Sequence, residues 1–130
     1  MLLQANLAYA DDTPVDEMRD QRMNFQPSRC RDRPVADSLA AWALMKEGKA
    51  EDTCIRVRMD YAHVNGCLRD PVAYRCNPTP HHRTGTTFKA YPTYDFACPF
   101  VDSIEGVTHA LRTSEYRDRE VTKSHPPWEQ

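Results

Sequence analysis

The chain has 130 residues, and its 17 lysine and arginine residues against 19 acidic residues give a formal net charge of −2. This length fits one ordinary domain, and no apolar run approaches the roughly 20 residues of a membrane-spanning helix, so we expect no membrane contact. Ten prolines against four glycines favour a fold with many turns and extended segments over a helical bundle.

The first elements are predicted to be a short strand and a helix. Residues 8–10 follow the end of a helix-like apolar stretch and are expected to form the strand. Thr13 and Pro14 precede two acids, a pattern typical of a helix start. The threonine hydroxyl is expected to cap this helix, and the acids favour its positive end. The helix is predicted to run to about Met23.

A second helix and a charged strand follow a polar loop. Apolar residues recur at helical spacing over residues 35–47, and Gly48 is expected to end that helix. Over residues 55–60, apolar and charged residues alternate strictly. This period of two predicts a half-buried strand whose outer face carries the charges, including Arg56 and Arg58.

The middle of the chain reads as short extended segments joined by turns. Asn65-Gly66 indicates a tight turn. Residues 72–76 and 88–91 are expected to be strands, and the histidine-containing stretch 78–86 between them is expected to be a polar loop.

The apolar run after residue 91 carries the most informative single side chain. Residues 94–98 and 107–111 are predicted to be buried strands, with a helix over 99–105 between them that stops at Gly106. Arg112 would then project from the end of a buried strand, where ligands bind in α/β sheets. A guanidinium presents a planar fork that matches a carboxylate. The other interpretation is a surface arginine beside a nearby acid.

Basic residues concentrate in the middle of the chain. Residues 13–92 hold 13 basic and 10 acidic residues, a net +3, whereas the remainder has a net −5. Such a surplus favours an anionic partner, and RNA is recognised largely through its phosphates. The basic residues after position 53 are Arg56, Arg58, Arg69, Arg75, Arg83 and Lys89. They could equally form an ordinary solvated face, and Asp70 could pair with Arg69 or Arg75 to hold a turn.

The five cysteines are odd in number, contain no Cys-x-x-Cys pair and follow no secretory leader, which indicates free thiols in a reducing cytoplasm. Cys54, Cys67 and Cys76 have spacings to the histidines that fit no usual zinc pattern, so no metal site is expected. Cys98 could be combined with Asp102 and His109 as a thiol triad. Because no activating cation lies near Cys98 in sequence, we expect a buried, inert thiol.

Several ordered segments resemble glutamyl-tRNA synthetases of the eukaryotic and archaeal type. They include Ala-Tyr-Ala-Asp-Asp-Thr-Pro at residues 8–14 and Thr-Pro-His-His-Arg-Thr-Gly at residues 79–85. Between them stand Met59-Asp60, Asn65-Gly66, Leu68-Arg69-Asp70-Pro71 and Tyr74-Arg75-Cys76. Tyr-Pro-Thr-Tyr-Asp-Phe-Ala-Cys-Pro-Phe-Val-Asp-Ser-Ile-Glu-Gly-Val-Thr-His-Ala-Leu-Arg at residues 91–112 completes the match. The similarity covers residues 8–119, far more than a lone motif.

The resemblance implies an α/β fold: a partial Rossmann-like catalytic domain split by an inserted α+β domain that binds the tRNA acceptor stem. Residues 1–12 would end the first half of the catalytic fold, 13–92 would form the insert, and 93–130 would start the second half with a divergent tail. Such enzymes are cytoplasmic ligases that attach glutamate to tRNA(Glu) with ATP and Mg²⁺. Some work beside other synthetases in a complex.

The resemblance also implies roles for particular residues. Arg112 would bind the side-chain carboxylate of glutamate, and the hydroxyl of Tyr94 would contact the same substrate. Asp95 and His109 would line the pocket or its ATP side. Asp118, Arg69 and Arg83 are the candidate tRNA contacts; carboxylates such as that of Asp118 can accept hydrogen bonds from guanine amino groups in the minor groove.

Two ATP-binding sequences of class I synthetases, His-Ile-Gly-His and Lys-Met-Ser-Lys, do not occur in the 130 residues. Two adjacent prolines at 126–127 also depart from the helix that the family has there. We therefore expect an inactive internal fragment of the enzyme. The alternatives are a fragment of a glutaminyl-tRNA synthetase and a non-catalytic module that binds the tRNA acceptor.

Overall fold

The computed structural model describes residues 1–119, so the predicted divergent tail after residue 120 lies outside the described residues. Four strands and three helices make up the fold. In chain order they are β1 (Ala8–Asp11), α1 (Val15–Met23), α2 (Val35–Glu47), β2 (Cys54–Val57), β3 (Val72–Cys76), β4 (Ala90–Pro92) and α3 (Tyr94–Ile104). Short 3-10 helices span Gly66–Leu68 and Ser114–Arg119.

The four strands form one antiparallel sheet in the order β1-β2-β3-β4. Tyr9 lies opposite Arg56, and Tyr74 of β3 lies opposite both Ile55 of β2 and Pro92 of β4. The architecture is therefore mixed α/β, as predicted at that level. Because β1 pairs with β2, one sheet spans the predicted boundary after residue 12, and the division into three parts stays a prediction.

Local sequence explains the ends of the first two helices. Both begin after a proline, Pro14 for α1 and Pro34 for α2. The expected cap by Thr13 is wrong, since its hydroxyl lies 3.1 Å from the Ser28 hydroxyl and makes no cap hydrogen bond. Helix α2 ends at Gly48 as predicted, with φ of 74° in the left-handed region where glycine is favoured.

The core lies where α2 packs on the sheet. Ala8, Ala10, Met45 and Ile55 form its buried centre, and Met45 has no exposed surface. Outside this centre, aromatic rings extend the packing from α2 across β3 to α3. The ring pairs are Trp42–Tyr74 at 5.1 Å, Tyr74–Phe96 at 5.7 Å and Phe96–Phe100 at 5.3 Å between centroids. These edge-on and tilted pairs fix α3 against the sheet.

Two predicted strands near the carboxyl end are wrong. Residues 94–98 begin helix α3, because the apolar residues from Phe96 to Ile104 recur at helical spacing and the Phe96 ring packs on Tyr74. Residues 107–111 form an exposed irregular segment rather than a buried strand. No strand within residues 1–119 pairs with that segment, so its apolar side chains lack the neighbours that would bury them. Gly106, with φ of 67°, follows the helix as predicted.

Other differences are smaller. The strand predicted at 88–91 lies at Ala90–Pro92, and the Asn65-Gly66 turn is the start of a 3-10 helix. Asn65 caps that helix, because its side-chain oxygen accepts from the backbone N–H of Cys67 at 2.9 Å. Across residues 1–119, every helix is too short or too polar to cross a lipid bilayer.

Candidate functional site

Arg112 lies against helix α3, not at the end of a buried strand. Its Nη2 donates to Oδ2 of Asp102 at 3.0 Å and contacts Sγ of Cys98 at 2.7 Å. The guanidinium also lies 5.7 Å from the centre of the Tyr94 ring. Tyr94, Cys98 and Asp102 are four residues apart and therefore share one face of α3. The structure thus brings Tyr94 and Arg112 together against one face of α3.

The hydroxyl of Tyr94 is held in its neutral form. A hydrogen bond with Cys98 raises the pKa of Tyr94 above its ordinary value of 10.0. The ring is 53% exposed and meets the Tyr116 ring edge-on at 5.9 Å. An exposed neutral hydroxyl beside a guanidinium can donate to or accept from a polar ligand.

The partner of Asp95 is Arg119, not Arg112. Its Oδ2 accepts from Nε of Arg119 at 2.6 Å, and this hydrogen bond raises the pKa of Arg119. Both side chains line an open pocket of about 380 Å³ whose other walls are Thr93, Tyr94, Glu115 and Tyr116. Asp95 therefore lines this pocket, and its carboxylate is already paired.

His109 and Cys98 do not form a triad with Asp102. Nδ1 of His109 lies 2.9 Å from the Thr108 hydroxyl, whereas the Cys98 thiol donates to Asp102 at 3.3 Å. The thiol of Cys98 is half-buried rather than buried as expected, and the irregular segment folds Arg112 back onto it although no cation lies near it in sequence. Among residues 1–119, no group of three or more His, Cys, Asp or Glu side chains could hold a metal ion.

Arg69 serves the local structure. It donates to the carbonyls of His63 at 2.5 Å, Arg22 at 2.9 Å and Val64 at 2.9 Å, and its guanidinium stacks 4.2 Å from the Phe25 ring centre. Arg22 reciprocates by donating to the carbonyl of Arg69 at 2.5 Å. Little of the donor capacity of Arg69 is therefore left for a phosphate.

Arg83 and Asp118 lie at exposed places. Arg83 lies in the loop that His81 and Gly85 close through two backbone hydrogen bonds of 2.9 and 2.8 Å. Residues 71–94 contain no acidic side chain, so no carboxylate of that stretch competes for Arg83. The backbone carbonyl of Asp118 accepts from Asn65 at 2.6 Å, which links the second 3-10 helix to the first.

The family model for the catalytic domain of class I tRNA synthetases (E and Q), the glutamate and glutamine enzymes, matches residues 1–125. The chain belongs to this family. It is 56% identical over 120 residues to the probable cytoplasmic glutamate–tRNA ligase of Schizosaccharomyces pombe, a match that covers 91% of the chain and 17% of that relative. The cytoplasmic glutamate–tRNA ligase of Saccharomyces cerevisiae is 58% identical over 115 residues, covering 86% and 16%.

A fused relative matches as well. The bifunctional glutamate/proline–tRNA ligase of Cricetulus griseus is 50% identical over 121 residues, covering 92% of the chain and 8% of that protein. The class I synthetase chain therefore spans no more than about one-sixth of the length of these relatives.

Two ion pairs with buried carboxylates in this class I synthetase chain were missed from the sequence. Arg56 was expected on an outer charged face, but it is 6% exposed and its Nε donates to Oδ2 of Asp11 at 2.6 Å. Burial raises the pKa of Asp11, but hydrogen bonds from Thr13 and the Arg56 cation outweigh it and the pKa is lowered. Asp11 and Arg56 are 45 residues apart in sequence, so only the pairing of β1 with β2 shows that they are neighbours.

Asp70 pairs with neither Arg69 nor Arg75, the alternative that the sequence left open. Its carboxylate accepts from Nε of Arg31 at 2.7 Å, from the N–H of Met59 at 2.8 Å and from the Tyr9 hydroxyl at 3.1 Å. Burial and the Asp70 charge raise the pKa of Tyr9. Asp70 itself has φ of 41°, a left-handed conformation that costs an ordinary residue about 1 kcal/mol. The Asp70-Pro71 pair in the sequence indicates a turn but does not indicate which residues bind Asp70.

Proposed function

We propose that this chain is part of a cytoplasmic glutamate–tRNA ligase, which joins glutamate to tRNA(Glu) with ATP. Residues 93–119 would supply the part of the catalytic fold that selects the amino acid, with Arg112 binding the side-chain carboxylate and the Tyr94 hydroxyl contacting the substrate. The arrangement of Arg112 is the observation that carries this proposal. Its Nη2 is held by α3, and Nε and Nη1 have no hydrogen-bond partner among residues 1–119.

The chemistry of the guanidinium favours glutamate. Its remaining N–H groups are only donors, and a carboxylate offers two acceptor oxygens to them. The amide of glutamine offers one acceptor and one donor, so one N–H would face another. A hydrogen bond between a guanidinium and a carboxylate is charge-assisted and contributes about 1.5–3 kcal/mol, so the neutral amide of glutamine should bind more weakly.

Residues 13–92 would form the insert that binds the acceptor stem. Arg83 and the acid-free stretch around it support this role, since phosphate binding needs uncompensated cations. Asp118 would read a base edge beside them, and Arg69 is the weaker candidate because its donors contact three backbone carbonyls. The bifunctional relatives support a parent that works beside another synthetase.

ATP would be bound mainly by segments of the parent other than these 130 residues, because neither ATP-binding sequence of class I enzymes occurs here. The described residues do not fit Mg²⁺ on their own, since no cluster of ligands is present in residues 1–119. Asp95 and His109 remain candidates for the ATP side of the pocket. The chemical step then depends on positioning and on charge stabilisation at the phosphates.

The test is a graft of residues 1–119 into the Saccharomyces cerevisiae glutamate–tRNA ligase in place of its matching segment. We expect glutamate-dependent ATP–pyrophosphate exchange in the presence of tRNA, and none from residues 1–130 alone. Arg112→Ala should lower kcat/KM for glutamate at least about 100-fold, because the substrate carboxylate loses its charged partner. Arg19→Ala, which removes a 71% exposed arginine on α1, is the control and should leave activity unchanged.

Three outcomes would contradict the proposal. Equal exchange with glutamine would favour a glutaminyl enzyme. Full activity of Arg112→Ala would remove the carboxylate role. An inactive graft that still binds a tRNA acceptor stem would favour the non-catalytic module.

A further inference from the structure

Asp102 is the one acid that contacts Arg112 among the described residues. Its Oδ2 accepts from Nη2 of Arg112 at 3.0 Å and from the Cys98 thiol at 3.3 Å. Both charged side chains are partly shielded, with 26% of the Arg112 side chain and 30% of the Asp102 side chain exposed. A single carboxylate oxygen thus holds both the sulfur and one end of the guanidinium.

The helix fixes this arrangement. Asp102 follows Cys98 by four residues on α3, so their side chains are neighbours on one face. Arg112, by contrast, lies on an irregular segment after Gly106, with no secondary structure to orient its long side chain. A flexible arginine loses about 2 kcal/mol of rotamer entropy when it is ordered, and a pre-formed hydrogen bond removes part of that loss from the binding step.

The contact also decides which N–H groups of Arg112 a ligand meets. Asp102 and Cys98 both contact Nη2, whereas Nε and Nη1 have no hydrogen-bond partner in residues 1–119. A guanidinium can serve two carboxylates at once when each accepts from different N–H groups.

We propose that Asp102 is a positioning residue of the amino-acid pocket, which holds Arg112 at Nη2 so that its other N–H groups face the substrate. This inference rests on the proposed function of Arg112. It assigns the discrimination against glutamine to the orientation of the guanidinium as well as to its charge. Without Asp102, the guanidinium of Arg112 would keep its charge but lose its fixed orientation.

The test uses the graft of residues 1–119 with Asp102→Asn and Asp102→Ala. We expect KM for glutamate to rise about 10-fold or more, since a charge-assisted hydrogen bond contributes about 1.5–3 kcal/mol. The kcat at saturation should stay within about 3-fold, because a contact made equally in the ground and transition states changes KM alone. The preference for glutamate over glutamine should fall by a similar factor, while KM for ATP should not change. Glu47→Gln, which removes the carboxylate of a surface pair with Lys49 at 2.8 Å, is the matched control.

Chemical rescue separates positioning from a structural role. Added formate should lower KM for glutamate in Asp102→Ala, because it can replace the missing carboxylate at Nη2, and should only inhibit the unsubstituted graft by competing with the substrate carboxylate for Nε and Nη1. Urea midpoints of the variants show whether they fold; if Asp102→Ala does not, Asp102→Asn has nearly the same shape and serves alone.

Three results would contradict the role of Asp102 or the function on which it rests. Unchanged KM and unchanged amino-acid preference in a folded variant would overturn the role. A lower KM would also overturn it, since Asp102 would then be a competitor of the substrate carboxylate. An unsubstituted graft without glutamate activity would instead overturn the proposed function, and this role with it.

Discussion

The carboxylate of Asp11 and the guanidinium of Arg56 form a buried ion pair that joins β1 to β2. Oδ2 lies 2.6 Å from Nε, and only 2% and 7% of the two side chains are exposed. Arg56 also donates to the carbonyl of Asp70 at 2.9 Å, so one guanidinium ties both neighbouring strands to the turn before β3. Breaking such a pair leaves an uncompensated charge in the interior.

Arg56→Ala is therefore expected to lower the free energy of unfolding of residues 1–130 by about 3–5 kcal/mol, measured by urea titration. Asp11→Ala should cost a similar amount, and the double variant should cost clearly less than the sum because neither charge is then left alone. Arg19→Ala should change stability by less than about 0.5 kcal/mol. A loss below about 1 kcal/mol for Arg56→Ala would mean that the pair does not hold the sheet together.

Acid should destabilise the fold through the same carboxylate. The pKa of Asp11 is lowered, as is that of Asp12 through a hydrogen bond from Arg33, whereas the unfolded value is about 3.9. A carboxylate with a lower folded pKa contributes stability above the unfolded pKa and loses it as pH falls through the folded one. Urea midpoints should thus be stable from pH 7 to about 5 and fall below about pH 4. Asp11→Asn should flatten this fall, and an equally steep fall in that variant would assign it to other groups.

The thiol of Cys54 should react with alkylating reagents more slowly than that of an ordinary cysteine. Burial raises its pKa to about 11, so at pH 8 its thiolate fraction is about two orders of magnitude below that of an ordinary cysteine. Iodoacetamide labelling followed by peptide mass spectrometry should show this difference against Cys67. In urea the two rates should converge. Rapid native labelling of Cys54 would show that β2 is not protected in solution.

Substitutions of Arg83 and Arg69 should affect different properties, RNA binding for Arg83 and stability for Arg69. Arg83→Ala should reduce the salt dependence of acceptor-stem RNA binding by about one unit of slope, as expected for one lost phosphate contact. Arg69→Ala should instead lower the urea midpoint, because three backbone carbonyls lose their donor. Binding by filter or fluorescence titration at several salt concentrations distinguishes them. A reduced slope for Arg69→Ala at unchanged stability would restore it as a phosphate contact.

The residues that could be assigned from sequence are those whose conformation depends on near neighbours. Helix α2 with its glycine end, helix α1, strand β3 and the polar loop after it were predicted because periodicity, Pro14 and Gly48 act within a few positions. Only the family resemblance implied that Tyr94 and Arg112 contact the same substrate. Nothing in local composition shows that residues 18 positions apart lie against one helix face.

Tertiary structure decided the rest, for a common physical reason. Residues 94–98 have apolar side chains that suit a strand or a helix, and packing of Phe96 against Tyr74 accompanies the helical outcome. Arg56 alternates with apolar residues like an outward charge, yet Asp11 from β1 allows it to be buried. Charge and spacing in the sequence thus determined which residues could bind a ligand. Long-range pairing determined which of these residues instead form ion pairs and hydrogen bonds inside the protein. Within residues 1–119, the hydrogen-bond partners of Arg112 all lie at Nη2, where Asp102 and Cys98 contact it.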